Sequence, residues 1–158
     1  MLSQKVIKQV LSEALAKGGD FAEIFYENKK SNVIGLESSR LEKVKTGYSL
    51  GAGIRVLTGD QVSYAYTDEV SKESLLETAR VAGAASGGSS QIEFNEVNCS
   101  ELINTHALEV DPEAVAQSQK AELVTRADQA AREYCRYINQ VQVQYIDTSQ
   151  KVLIANSD

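Results

Sequence analysis

The order of elements in this 158-residue chain predicts an α+β fold, an antiparallel sheet with two to three helices packed on one face. Two observations carry that expectation. Strand-like segments follow one another directly between residues 20 and 67, whereas a parallel sheet needs a crossover helix between strands. Within them, Gly47 to Ser71 reads GYSLGAGIRVLTGDQVSYAYTDEVS, a strand, a tight turn, a return strand and a helix start.

The first element is a helix over 3–17, with Leu2, Val6, Val10, Leu11, Ala14 and Leu15 in one apolar stripe. Ser3 suits its N-cap, and Gly18-Gly19 stops it because glycine takes the left-handed position without a Cβ penalty. Asp20 to Asn28 carries apolar groups at both parities and reads as a largely buried strand. The polar run Asn28–Asn32 is either that strand's exposed end or a turn. A short strand follows at 33–37, then a turn at Ser38-Ser39-Arg40 and a weak strand around Leu41 and Val44 before Gly47. In the hairpin, Leu50, Ala52, Ile54 and Val56 share one face, and Gly51, Gly53, Arg55 and Leu57 the other. Gly59 supplies positive φ in a two-residue turn, and Val62, Tyr64 and Tyr66 alternate along the return strand. Ser71 caps a helix over 72–85 whose core residues are Leu75, Ala79 and Ala82. Gly87–Ser90 reads as a connection, and residues 91–110 as irregular, with Ile92, Phe94 and Val97 offering some burial. Asp111-Pro112-Glu113 signals a helix start. That helix is expected to reach 134–136 with Ala116, Leu123, Ala127, Ala130 and Tyr134 inward. Strands at 141–146 and 151–155, joined by a turn at 147–150, close the chain.

Composition narrows the function. The net charge is −6 and the pI near 4.9, which argues against a DNA-binding surface needing a basic stripe. Lys29-Lys30 and Arg40, Lys43, Lys45 are local basic groups that read as solvated faces and turns. The chain shows no long apolar run and no signal-peptide core, so a cytoplasmic location without membrane contact is expected. Cys99 and Cys135 form no metal or redox motif and read as free thiols.

Candidate chemistry is sparse. His106 is the single histidine; with Glu109, Cys99 or Glu101 it matches no zinc spacing, and zinc needs three or four protein ligands. Gly51-Ala52-Gly53 lies in or at the start of a strand, where a dinucleotide fingerprint would open a helix, so a bulge or close approach is expected. Gly87–Ser90 lacks a phosphate-loop lysine. Glu23 and Glu27 share a strand face, geometrically open to acid–base work but placed as exposed or edge residues. Arg55, mid-strand, requires solvent, an acidic partner such as Glu23, Glu27 or Asp60, or the carboxylate of a bound chain. Tyr64 and Tyr66 beside it either line a groove or pack half-buried. Arg55, Tyr64 and Tyr66 are therefore the candidate peptide or partner contacts; no catalytic or metal-ligating residue is assigned.

Several segments in this order resemble the N-terminal domain of the TldD/PmbA family, the modulators of DNA gyrase. They are Gly19-Asp-Phe-Ala-Glu-Ile-Phe25 after a helix, Gly51-Ala-Gly-Ile-Arg-Val56, Ala65-Tyr-Thr-Asp68 leading to Ser71, and the Ala-rich helix 72–85. Asp111-Pro112 and the closing Ala155-Asn156-Ser157-Asp158 extend the likeness over nearly the whole chain. The hairpin is more similar to the TldD side than to the PmbA (TldE) side. The resemblance implies a cytoplasmic zinc metalloprotease acting on unfolded peptides and peptide precursors, with a PmbA/TldE-like partner subunit. Its zinc motif, HExxxH, occurs nowhere in these 158 residues. The expectation is one N-terminal domain over 1–158, cut near Asp158, with no cofactor of its own and zinc held by the absent catalytic part. The domain would help wall the peptide chamber and offer a sheet edge to an extended peptide. The alternative is a stand-alone interaction module, such as a protein-binding modulator of DNA gyrase.

Overall fold

Long strands dominate the computed structural model, which describes residues 2–86 and 108–158. The elements are α1 (Gln4–Leu15), β1 (Phe21–Glu37), β2 (Arg40–Thr58), β3 (Gln61–Thr67), α2 (Lys72–Ser86), a 3-10 turn (Pro112–Ala114), α3 (Gln117–Tyr134) and β4 (Gln142–Asn156). The strands form one four-stranded antiparallel sheet in the order β3-β2-β1-β4, which with three helices is the α+β class expected. The described residues cluster into two compact units, 2–28 with 49–86 and 151–158, and 29–48 with 108–150.

The first unit is built as the sequence patterns predict. Ser3 accepts a hydrogen bond from the Val6 N–H at the start of α1, and Gly18 and Gly19 take φ of 99° and 146° beyond its end. Ser71 accepts from the Ser74 N–H to open α2. Ile7, Val10, Leu11, Ala14 and Leu15 of α1 pack with Leu75, Ala79 and Ala82 of α2 over Ala22, Ile24, Ala52, Ile54 and Val56 of the sheet. Each large aliphatic side chain removed from water here contributes on the order of 1.5–3 kcal/mol. Gly83 lets α2 approach α1 closely, since a Cβ there would collide with the Ala14 carbonyl oxygen. Gly59 turns β2 into β3 with φ of 53°, and its N–H donates to the Asp20 carboxylate at 2.7 Å. Ser63 anchors β3 to α2 by donating to the Ala82 carbonyl at 2.7 Å.

The second unit departs from expectation, and polar residues are the reason. The run Asn28–Asn32 is neither turn nor strand end; β1 continues through it to Glu37. The turn expected at 147–150 is likewise strand, within an unbroken β4. Asn32 is buried and donates to the Asp147 carboxylate at 2.8 Å, while Thr46 and Gln117 both donate to its carbonyl oxygen, at 2.8 and 3.0 Å. Residues with turn chemistry are thus satisfied across the sheet, and the strands need not break.

The inward face of α3 is also a correction. It is made by Lys120, Val124 and Asp128, at helical spacing, while Leu123 and Tyr134 of the expected apolar stripe are exposed. The Lys120 ammonium pairs with Asp147 at 2.7 Å, both groups buried, and lies 5.9 Å from the centre of the Tyr145 ring. Asp128 receives Ser39 Oγ at 2.7 Å and Arg132 Nε at 3.0 Å. The apolar part of this core is small, with Ile34, Leu36 and Val124 fully packed. Burial pushes the Asp147 carboxyl up, but the Lys120 ammonium, the Asn32 amide and the Tyr145 hydroxyl together hold it below its ordinary value. Burial, with the Asp147 carboxylate beside it, pushes the Tyr145 phenol up.

Asp111 does cap, accepting from the Glu113 N–H at 2.9 Å, but it opens only the 3-10 turn. The long helix begins after Ala116, whose methyl cannot cap; only the Gln119 side chain returns to the Ala116 N–H, at 3.2 Å. Ala116→Asp is therefore expected to stabilise the protein by about 1 kcal/mol, read as a higher midpoint in urea. An unchanged midpoint would mean that the start of α3 is satisfied in another way.

Candidate functional site

The sheet of the first unit has a second face, opposite its helices. Alternation places Phe21, Glu23, Phe25 and Glu27 of β1 there, because Ala22, Ile24 and Tyr26 point into the core. Gly51, Gly53 and Arg55 of β2 and Val62, Tyr64 and Tyr66 of β3 share it. The β2–β3 register sets Gly53 opposite Tyr66 and Arg55 opposite Tyr64.

A shallow groove of about 220 Å³ runs over the two glycines. Phe25 and Glu27 form one wall, Tyr64 and Tyr66 the other, and Asp68 stands among its lining residues. The glycines make the floor possible. The Tyr64 hydroxyl lies where a Gly53 Cβ would be, and a Gly51 Cβ would stand 2.9 Å from the Thr67 carbonyl oxygen. The expected close approach at Gly51-Ala52-Gly53 is thus to a tyrosine side chain and a neighbouring carbonyl. The two tyrosine rings stack with centroids 6.4 Å apart, and both remain largely in solvent.

Of the three residues singled out from sequence, Tyr64 and Tyr66 line this groove. Arg55 stands on the same face with its guanidinium 3.0 Å from Glu23, the intramolecular partner foreseen among its options. Both groups are partly exposed, so the pair is worth at most about 1 kcal/mol. Phe25 and Asp68 were not singled out, and Glu27 was considered only as an acid–base residue or a partner of Arg55. Strand parity could have placed Phe25 and Glu27 on the right face, but only the register brings them beside the tyrosines.

β3 is an edge strand: among the described residues no strand pairs with its outer side. Its seven residues, QVSYAYT, contain no lysine, no proline and no charge. Those are the devices by which edges are ordinarily protected from pairing with another chain. Among the described residues the edge therefore presents backbone donors and acceptors without a partner strand, beside two exposed tyrosines.

Among the described residues no group of three or more His, Cys, Asp and Glu could hold a metal ion, so these residues do not fit a metal centre. His106, Cys99, Glu101, Gly87–Ser90, Ile92, Phe94 and Val97 lie outside the described residues. Cys135 is a free thiol. No described helix is long and apolar enough to cross a membrane.

An antiparallel α+β module with an open tyrosine-bearing edge and no metal centre among its described residues is a scaffold that offers backbone pairing. Comparison with known proteins supplies the lineage: residues 22–86 match domain 1 of the PmbA/TldA metallopeptidases, and residues 110–158 match their central domain. The chain belongs to the TldD/PmbA family. It is 22% identical over 151 residues to the metalloprotease TldD homolog of Buchnera aphidicola, covering 94% of this chain and 31% of that protein. A candidate modulator of DNA gyrase from Thermotoga maritima has a similar fold, with a TM-score of 0.71 at 17% identity, over 97% of this chain and 35% of that one. TldE from Thermococcus kodakarensis superposes with a TM-score of 0.61 at 14% identity, over 94% of this chain and 34% of that one. The chain thus spans about a third of the length of these relatives.

Proposed function

We propose that residues 1–158 form a non-catalytic N-terminal portion of a TldD-type zinc metalloprotease, spanning domain 1 and part of the central domain. The enzyme would be cytoplasmic, cleave unfolded peptides or peptide precursors, and pair with a PmbA/TldE-like subunit. The domain's task would be to help build the peptide-binding chamber. The observation that supports this reading is the β3 edge, which among the described residues has no partner strand beside Tyr64 and Tyr66. A strand added to such an edge gains affinity from main-chain hydrogen bonds with little demand on sequence, which suits a protease for unfolded chains. Zinc and its HExxxH ligands would come from a part of the protein beyond these residues. The likeness to a TldD homolog and to a TldE structure supports the pairing.

The second reading, a stand-alone module that modulates DNA gyrase, is favoured by the description of the Thermotoga relative. One experiment separates them. The zinc-loaded full-length protein, with its partner subunit, is expected to hydrolyse an unfolded reporter peptide, while the 158-residue chain binds that peptide without cleaving it. Hydrolysis by the 158-residue chain would contradict the non-catalytic assignment. A full-length protein that binds gyrase but cleaves nothing would favour the module.

A further inference from the structure

We propose that the free side of β2 over residues 40–48 is a second docking edge, which takes an extended acidic segment of another protein chain. The inference goes beyond the reading above and does not depend on peptide binding at β3. β2 begins at Arg40, but β3 pairs with it only from Ala52 to Thr58. β1 lies along the other side of β2. Among the described residues, one side of the stretch 40–48 therefore has no partner strand, and residues 40–46 are all exposed. A strand laid there would gain main-chain hydrogen bonds. Side chains choose its chemistry. Gly35 of β1 faces away from the buried Ile34 and Leu36, and a Cβ on it would lie 3.4 Å from the Lys43 Cβ. Lys43 thus stands on the outer face, and alternation puts Lys45 beside it. Thr46, of the opposite parity, reaches the buried Asn32. Neither lysine has an ion-pair partner among the described residues. The neighbouring acids do not offset them: Glu42 has the other parity, and Glu37 accepts from the Gln140 amide. The opposite face carries Val44 and Tyr48, 59% and 74% exposed. The complementary strand therefore alternates acidic and apolar residues. A second copy of this edge is the wrong occupant. Two identical strands paired about a two-fold axis normal to the sheet keep their faces, so lysines would meet lysines. Lysines that guard an edge against its own kind are here the feature that admits carboxylates.

The test uses the intact chain and a capped, fluorescently labelled peptide of alternating glutamate and valine. A matched peptide carries glutamine in place of every glutamate. At low ionic strength the glutamate peptide is expected to bind about fivefold tighter, a preference that shrinks as salt is added. The double variant Lys43→Gln with Lys45→Gln, at two exposed positions where folding is not at stake, is expected to abolish that preference and to leave binding of the glutamine peptide unchanged. Amide exchange with the glutamate peptide bound is expected to slow within residues 40–48. Equal binding of the two peptides, or none, would overturn the proposal. Slowing confined to residues 61–67 would overturn it as well, while leaving the β3 reading intact. Tighter binding of a single-stranded oligothymidylate than of the glutamate peptide would overturn it in favour of a phosphate contact.

Discussion

Replacing Asp147 with alanine is expected to cost about 3–5 kcal/mol, a large share of the roughly 5–15 kcal/mol that holds a domain of this size together. The loss arises from what is left behind. Lys120 is 2% exposed and its ammonium has Asp147 as its anionic partner at 2.7 Å. Without that carboxylate a charge stays in the interior unneutralised, and the Asn32 amide loses its acceptor. The ion pair itself need not be a net source of stability, because both ions pay desolvation. The double variant Lys120→Met with Asp147→Leu is therefore expected to recover most of the loss, and equilibrium urea unfolding of the three proteins gives the comparison. A double variant as unstable as the single one would show that the pair is stabilising in its own right.

The same group gives a pH dependence whose sign follows from the shift. The Asp147 carboxyl titrates below its ordinary value in the folded protein, so the unfolded chain takes up its proton first as pH falls. Its contribution is complete above about pH 4 and is lost as pH drops through the folded value. Asp147→Asn, whatever its effect at neutral pH, is expected to flatten the acid limb of the stability profile.

The second large effect is expected at Gly83. On an exposed helix surface glycine costs about 1 kcal/mol relative to alanine, so removing it ordinarily helps. Here the added carbon meets the Ala14 carbonyl where α1 and α2 cross. Backbone of a packed helix cannot step aside as a flexible side chain can, so Gly83→Val is expected to destabilise by about 3 kcal/mol. Gly83→Ala is expected to lose stability as well. Because the obstructing atom is main chain, Ala14→Gly is expected not to rescue either variant; rescue would place the obstruction in the Ala14 methyl instead.

What the sequence made legible follows from which force dominates locally. In the first unit burial is apolar, so periodicity located α1 and α2, Leu75, Ala79 and Ala82 met the core, and Ser3 and Ser71 capped as serine does. In the second unit burial is largely polar, and hydrophobic patterning points the wrong way. Lys120 and Asp128 face inward because Asp147, Ser39 and Arg132 satisfy them, none of which is near both in sequence. Asn32 and Asp147 read as turn residues for the same reason: their partners are 115 residues apart along the chain. Asp111-Pro112 carried a correct cap signal, but the helix it announced starts at Gln117. For the site, Tyr64 and Tyr66 were visible from alternation, whereas the groove needed the pairing of Gly53 with Tyr66, which no local pattern encodes.

The proposed docking of an extended peptide along β3 has one direct test. Amide hydrogen exchange of the chain, with and without an unfolded peptide in excess, tests it most directly. Slowed exchange is expected in residues 61–67, at amides that face no partner strand among the described residues, with the amides of α1 and α2 unchanged. Protection that appears elsewhere while β3 exchanges as before would contradict it.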